Sequence, residues 1–232
     1  MKKHLCLKTV PLFIFAALIH PASGQTVLPF TEDFDLNNSN WTDPSGIPMN
    51  WISSGGVSGA GDGYITSAVN FSTSFENDNV LFSRGQAASG ASGGAFAGDW
   101  LSSGISEFSF WVRHDFTDPL TFFTRFATPA NFPGVAGLSL VPVMPNTWTQ
   151  VTFSIDAGNP LMFPEGPPGT FEAAFGNIGN LQLGLVVPVG LAGFAPDVTF
   201  DIDRISVIPA PGSGLLLVMS GVFFSRGRRR RE

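Results

Sequence analysis

Five tryptophans and one tyrosine are the residues here with the clearest chemistry to offer. Trp41, Trp51, Tyr64, Trp100, Trp111 and Trp148 carry broad apolar rings with a polar tip. Exposed rings of this kind stack against the apolar faces of sugars, whereas most tryptophans of a small β-protein pack inside it. Trp111 is the best candidate for stacking. In the run Glu107-Phe-Ser-Phe-Trp-Val-Arg113, Phe108, Phe110 and Val112 claim one face of an alternating strand. Trp111 and Arg113 then point the other way.

Carboxylates are the second resource. Residues 25–208 hold four arginines (Arg84, Arg113, Arg125 and Arg204) against seventeen acids, a net charge of −13. The whole-chain value of −6 conceals this, because all three lysines lie within the first eight residues and five arginines within the last seven. So acidic a segment does not bind nucleic acid by counterion release, and it suits divalent cations. Asp115 and Asp118 flank a turn before Pro119, where turn chemistry accounts for them. As a glycosidase pair they meet no spacing rule.

Thiol chemistry is excluded, since the one cysteine, Cys6, lies in the leader. The single histidine of the central segment, His114, follows Arg113 at a strand end and reads as a solvated surface residue. Asn40-Trp-Thr42 and Asn70-Phe-Ser72 match the glycosylation sequon, which has meaning only in a eukaryotic secretory route.

The elements that must position these groups are strands. Gly, Ser, Asn and Pro recur every eight to twelve residues between short Phe-, Val-, Thr- and Ile-rich runs, the pattern of an all-β sandwich. Strands are predicted over 62–72, 79–84, 105–113, 121–127, 137–143, 147–155, 181–187 and 199–208. Val151, Phe153 and Ile155 share one face with Trp148 opposite, and Leu181, Leu183 and Leu185 alternate likewise. In the last strand Phe200 and Ile202 change parity with Ile205 and Val207, which predicts a β-bulge near Asp203 or Arg204. Residues 85–98 read as a loop or weak strand.

Both ends read as addresses. Lys2, Lys3 and Lys8 precede a short apolar run, then Ala22 and Gly24 stand three and one back from a cut before Gln25. Residues 1–24 are thus predicted to be a cleaved secretory signal. The run is too short to span a bilayer. At the other end Pro209, Ala210 and Pro211 precede an apolar stretch, Gly214 to Ser225, and a closing cluster, Arg228, Arg229, Arg230 and Arg231. Those arginines hold the tail's end on the cytoplasmic side.

This tail, residues 209–232, resembles the PEP-CTERM sorting signal of Gram-negative, biofilm-forming bacteria. Ala210 stands where that family usually has glutamate. The resemblance implies an exosortase and the export machinery as partners, transient membrane association through the C-terminal helix, and delivery to the cell surface or the extracellular space. The central segment, 25–208, resembles a jelly-roll domain found in carbohydrate-binding modules. The segments that carry this are Glu32-Asp-Phe-Asp with Trp41, Gly56 to Ile65, Gly98 to Ile105, Trp148 to Phe153, and Phe200 to Ile205. That likeness implies a jelly-roll-type β-sandwich. It also implies a structural calcium joining a carboxylate near the first strand to one in the last: Glu32 or Asp33, Asp62, and Asp201 or Asp203, with Asp33, Asp62 and Asp203 the chosen set.

The expected function is that of an exported, exosortase-sorted, non-catalytic protein of the envelope or biofilm matrix, structural or adhesive in role, with a glycan as ligand. The alternatives are a dedicated carbohydrate-binding module or a secreted polysaccharide-degrading enzyme.

Overall fold

The computed structural model describes residues 26–211. The signal segment, the apolar stretch of the tail and its arginine cluster lie outside the described residues. What is described is an all-β sandwich of the jelly-roll type.

One sheet is built from β1 (Phe30–Glu32), β2 (Asn50–Ile52), β3 (Tyr64–Asn70), β5 (Ile105–His114), β8 (Thr149–Ser154) and β11 (Asp197–Pro209), the other from β4 (Asn79–Gln86), β6 (Phe122–Ala127), β7 (Gly134–Leu138), β9 (Met162–Pro164) and β10 (Asn180–Val186). The first has the order β2-β3-β11-β5-β8, with β1 also paired to β11, and the second β4-β10-β6-β7-β9. Every named pair is antiparallel, so each sheet can turn one face inward and one outward.

The inward faces are those the alternation predicted. Phe108, Phe110 and Val112 on β5, Val151 and Phe153 on β8, and Leu181, Leu183 and Leu185 on β10 are all buried. Phenylalanine dominates the interior. Phe82 stacks on Phe200 at 4.9 Å between ring centroids, bridging the two sheets, and Phe108 meets Phe126 edge-on at 5.2 Å. Each such ring contributes about 1.5–3 kcal/mol by leaving water. Trp41 and Trp100 are fully enclosed in the same core, with their indole N–H groups donating to Ser92 Oγ at 2.9 Å and to the Phe96 carbonyl at 2.8 Å. That satisfaction is what allows so large a polar-tipped ring to be buried.

The predicted bulge is present. The register of β11 against β5 shifts between Asp203 and Ser206, and Arg204 takes a φ of +47°. The strand predicted over 137–143 is instead Gly134–Leu138. Pro142 has no N–H to give a ladder, and Val143 meets only Leu120 through an isolated bridge. Residues 85–98 finish β4 and then form two short 3-10 turns, Ala87–Ser89 and Ala91–Gly94. Three strands of three residues, β1, β2 and β9, and the helix α1, Thr170–Phe175, have no counterpart in the sequence reading, being too short to show a period.

Candidate functional site

Two strands share one edge of β11. β3 pairs with its first half, Asp197 to Ile202, and β1 with its second half, Ile205 to Val207. They meet opposite the bulge. Asp33 follows the end of β1 and Asp62 lies just before β3, so both arrive at the junction where Arg204 bulges out. Arg204 Nη2 lies 3.6 Å from Asp62 Oδ2, and Arg204 Nε 3.9 Å from Asp33 Oδ1. Asp203, fully buried, accepts from the Val57 N–H at 2.9 Å and the Arg204 N–H at 2.7 Å. Asp62 Oδ2 also accepts from the Ser58 N–H, and Arg204 Nη2 donates to Ser58 Oγ. Burial, with the Asp62 charge nearby, pushes the Asp203 carboxyl up to about 6. Burial likewise raises Asp33, against the lowering pull of Arg204.

The three acids expected to share a calcium are therefore neighbours, but they are arranged around a guanidinium and backbone N–H groups. The donor set does not fit the oxygen shell of six to eight ligands that calcium takes. Among the described residues no group of three or more His, Cys, Asp or Glu side chains is placed to hold a metal ion. Asp201 is elsewhere: Arg113 Nε and Nη2 both donate to its Oδ2, at 2.9 and 2.7 Å. Glu32 accepts from the Phe34 N–H at 3.3 Å.

The same outer sheet face carries aromatics. Arg113 sits across from Asp201, and above this pair the rings of Tyr64 and Trp148 meet edge-on at 5.7 Å. The Arg113 guanidinium lies 4.6 Å from the Trp148 ring centroid and 5.3 Å from that of Tyr64, a double cation–π contact. The Trp148 indole N–H donates to the Gly55 carbonyl at 3.2 Å, which fixes the ring's orientation from the 53–63 loop. Both rings remain half-exposed. The result is a held aromatic platform beside a satisfied ion pair.

Trp111 lies on this outer face, as predicted, and is half-exposed. Its cross-strand neighbours are Asp203 and Gln150. Trp51 is at the edge, 36% exposed, its N–H donating to the Phe34 carbonyl at 2.6 Å. The sequence singled out Trp111 but not the union of Tyr64, Trp148 and Arg113. The parity that turns Trp148 outward was readable. The 83 residues of chain between Tyr64 and Trp148 conceal their meeting.

His114 corrects the reading of a surface histidine. It is 2% exposed, Nε2 lies 2.9 Å from the Val143 carbonyl, and the ring packs near Phe122 and Phe200. Burial lowers its pKa from 6.5. Its even number on β5 places it with Phe108, Phe110 and Val112. Asp115 accepts from the Thr199 N–H at 2.8 Å, tying the end of β5 to β11 rather than closing a local turn. Of the proposed sorting motif, Pro209 still pairs with Ile105 in the sheet and the Ala210 N–H donates to the Gly104 carbonyl at 2.9 Å.

No family model matches the chain, and no curated sequence does. Solved structures give a distant likeness. A Clostridium thermocellum endo-1,4-β-D-xylanase fragment of CBM22-1 and GH10 modules, complexed with xylohexaose, is 12% identical over 77% of this chain and 28% of its own, with a TM-score of 0.45. An exo-β-agarase is 12% identical over 81% of this chain and 26% of its own, with a TM-score of 0.47. The chain thus spans little more than a quarter of either. Likeness at this level transfers no ligand to this chain.

Proposed function

We propose that this sandwich is a non-catalytic sugar-binding module that serves in adhesion at the cell envelope or in an extracellular matrix. The observation that carries the reading is the Tyr64–Trp148 platform over Arg113. Two aromatic rings are locked in place by a cation, a carboxylate and a loop carbonyl. Stacking surfaces gain affinity when they are ordered before the ligand arrives. Gln150, exposed, and Trp111, half-exposed, extend the same face, offering an amide and a further ring.

The non-catalytic part of the proposal rests on how the acids of this face are used. A glycosidase keeps one carboxyl as proton donor and another as nucleophile or base. Here Asp201 is held by Arg113 and Asp203 by two backbone N–H groups. Export through the leader, and sorting by an exosortase at Pro209, Ala210 and Pro211, complete the proposal on the strength of the sequence alone.

Screening the purified protein on a glycan array tests this. Binding of neutral oligosaccharides is expected, with Trp148→Ala weakening it at least about tenfold, the scale of a tryptophan hot spot. A Trp111→Ala variant should weaken it less. No binding to any neutral glycan, or undiminished neutral-glycan binding by Trp148→Ala, overturns the proposal.

A further inference from the structure

The opposite sheet carries its own unexplained chemistry. Across its outer face Arg84, Gln182, Arg125, Ala136 and Phe163 form one row, each paired with the next on β4, β10, β6, β7 and β9. Thr42 extends the row by an isolated bridge to Arg84. The row faces outward because its flanking residues Leu181 and Leu183 are in the core and Gly85, beside Arg84, faces Trp41.

Arg125 is fully engaged. Its Nε reaches both Glu165 oxygens at 2.8 Å, Nη1 the Asn131 Oδ1 at 2.8 Å, and Nη2 the Asn131 carbonyl at 2.8 Å. Arg84 is not. Among the described residues Arg113, Arg125 and Arg204 each face a carboxylate, and Arg84 has none within ion-pair distance. Its Nε is buried with no hydrogen-bond partner, and so is Oγ1 of Thr42 directly across the bridge. A buried polar group left without a partner destabilises the fold, and a ligand that supplies the partner recovers that loss. Arg84 as a whole is only half-buried, a cation that none of the seventeen acids neutralises by an ion pair.

At the end of the row away from Arg84, by Ala136 and Phe163, lies an open groove of about 240 Å³ lined in part by Phe123, Leu138, Phe163 and Val186. Phe163 is 49% exposed. Phe123 lies on this outer face, above Gly184, where an added Cβ would come within 2.5 Å of its ring.

We propose that this face binds an acidic oligosaccharide, with a terminal uronate carboxylate held by Arg84 and Thr42 and the neutral sugars crossing the four strand spacings, about 19 Å, toward Phe123 and Phe163. A single open cation suits a ligand with isolated carboxylates. The −13 charge of the domain repels a dense polyanion. An acidic peptide lacks a place to add as a strand here, because Thr42 already occupies the outer edge of β4 at Arg84. The inference rests on the sugar-binding reading for the class of ligand, but its face and residues are separate from the Trp148 platform.

Isothermal titration calorimetry of the full protein at low salt, with a neutral tetrasaccharide carrying one terminal glucuronate and the methyl ester of that sugar as probes, tests it. The acid should bind at least tenfold tighter than the ester, the scale of one charge-assisted hydrogen bond. Arg84→Gln should erase that difference and Arg84→Lys keep part of it. Thr42→Val should weaken the acid's binding with an unchanged or raised melting temperature, which a merely structural threonine would not do. Trp148→Ala should leave acid binding intact, which separates failure of this proposal from failure of the platform. Equal affinity for acid and ester, no binding of the acid, or an oligo-aspartate peptide competing as well as the uronate overturns it.

Discussion

Arg204 Nη2 lies 3.6 Å from Asp62 Oδ2, and it does so because Arg204 occupies a left-handed bulge, φ +47°, opposite the point where β1 and β3 share the edge of β11. A non-glycine residue in that conformation costs about 1–3 kcal/mol. The ion pair with Asp62, the nearby Asp33 and the bond to Ser58 offset it. Replacing Arg204 by alanine keeps the strain and loses the contacts. Arg204→Gly loses the contacts but relieves the strain. Chemical denaturation should therefore find Arg204→Gly more stable than Arg204→Ala by roughly 1 kcal/mol, with both below the parent. The reverse order would mean the bulge is not strained.

Because a guanidinium supplies the positive charge in this cluster, calcium should add little. Melting midpoints with millimolar calcium and with a chelator should coincide. A midpoint raised by calcium and restored by chelation would show that the acids bind it after all.

Acid stability should reflect two buried groups with opposite signs. The Asp203 carboxyl is raised in the folded state from 3.8 to about 6, so its contribution is fully present below 3.8 and lost as pH rises through about 6. His114 is lowered from 6.5, so its contribution is present above 6.5 and lost as pH falls below that. Their effects partly cancel between these limits. Relative to the parent, His114→Gln should gain stability on acidification from pH 7 toward 4, and Asp203→Asn should lose it. Parallel profiles for all three proteins would contradict these assignments.

Close packing on the outer face of the second sheet depends on glycine. A Cβ at Gly184 would come within 2.5 Å of the Phe123 ring and 2.7 Å of the Val80 carbonyl. Gly184→Ala should cost ~1–3 kcal/mol by overpacking, read as a lowered denaturation midpoint. A neutral result would mean that Phe123 swings freely away.

The alternation of Phe108, Phe110 and Val112, of Val151 and Phe153, and of the β10 leucines was legible because a half-buried strand repeats every second residue. So was the bulge, since one extra residue flips that parity. His114 was read as a solvated residue past a strand end at 113; β5 runs one residue further, its even position then falls on the core side, and the Val143 carbonyl accommodates the ring. The strand at Gly134–Leu138 was misplaced because two of its five residues are glycines, which carry no hydrophobic pattern. The acidic trio was legible as a set, but its cation was not, for nothing local says that Arg204 will turn toward Asp33 and Asp62. The Tyr64–Trp148 arch and the open Arg84 depend on strand order, which a single sequence does not print.

Trp148, on the outer face of the first sheet, is the proposed seat of the sugar. The most direct measurement is a nuclear magnetic resonance titration that follows the five indole N–H signals as an array-selected neutral oligosaccharide is added. The Trp148 signal should move most and Trp111 with it, while the enclosed Trp41 and Trp100 stay still. Shifts confined to other tryptophans, or none at saturating ligand, would show that Trp148 does not receive the sugar.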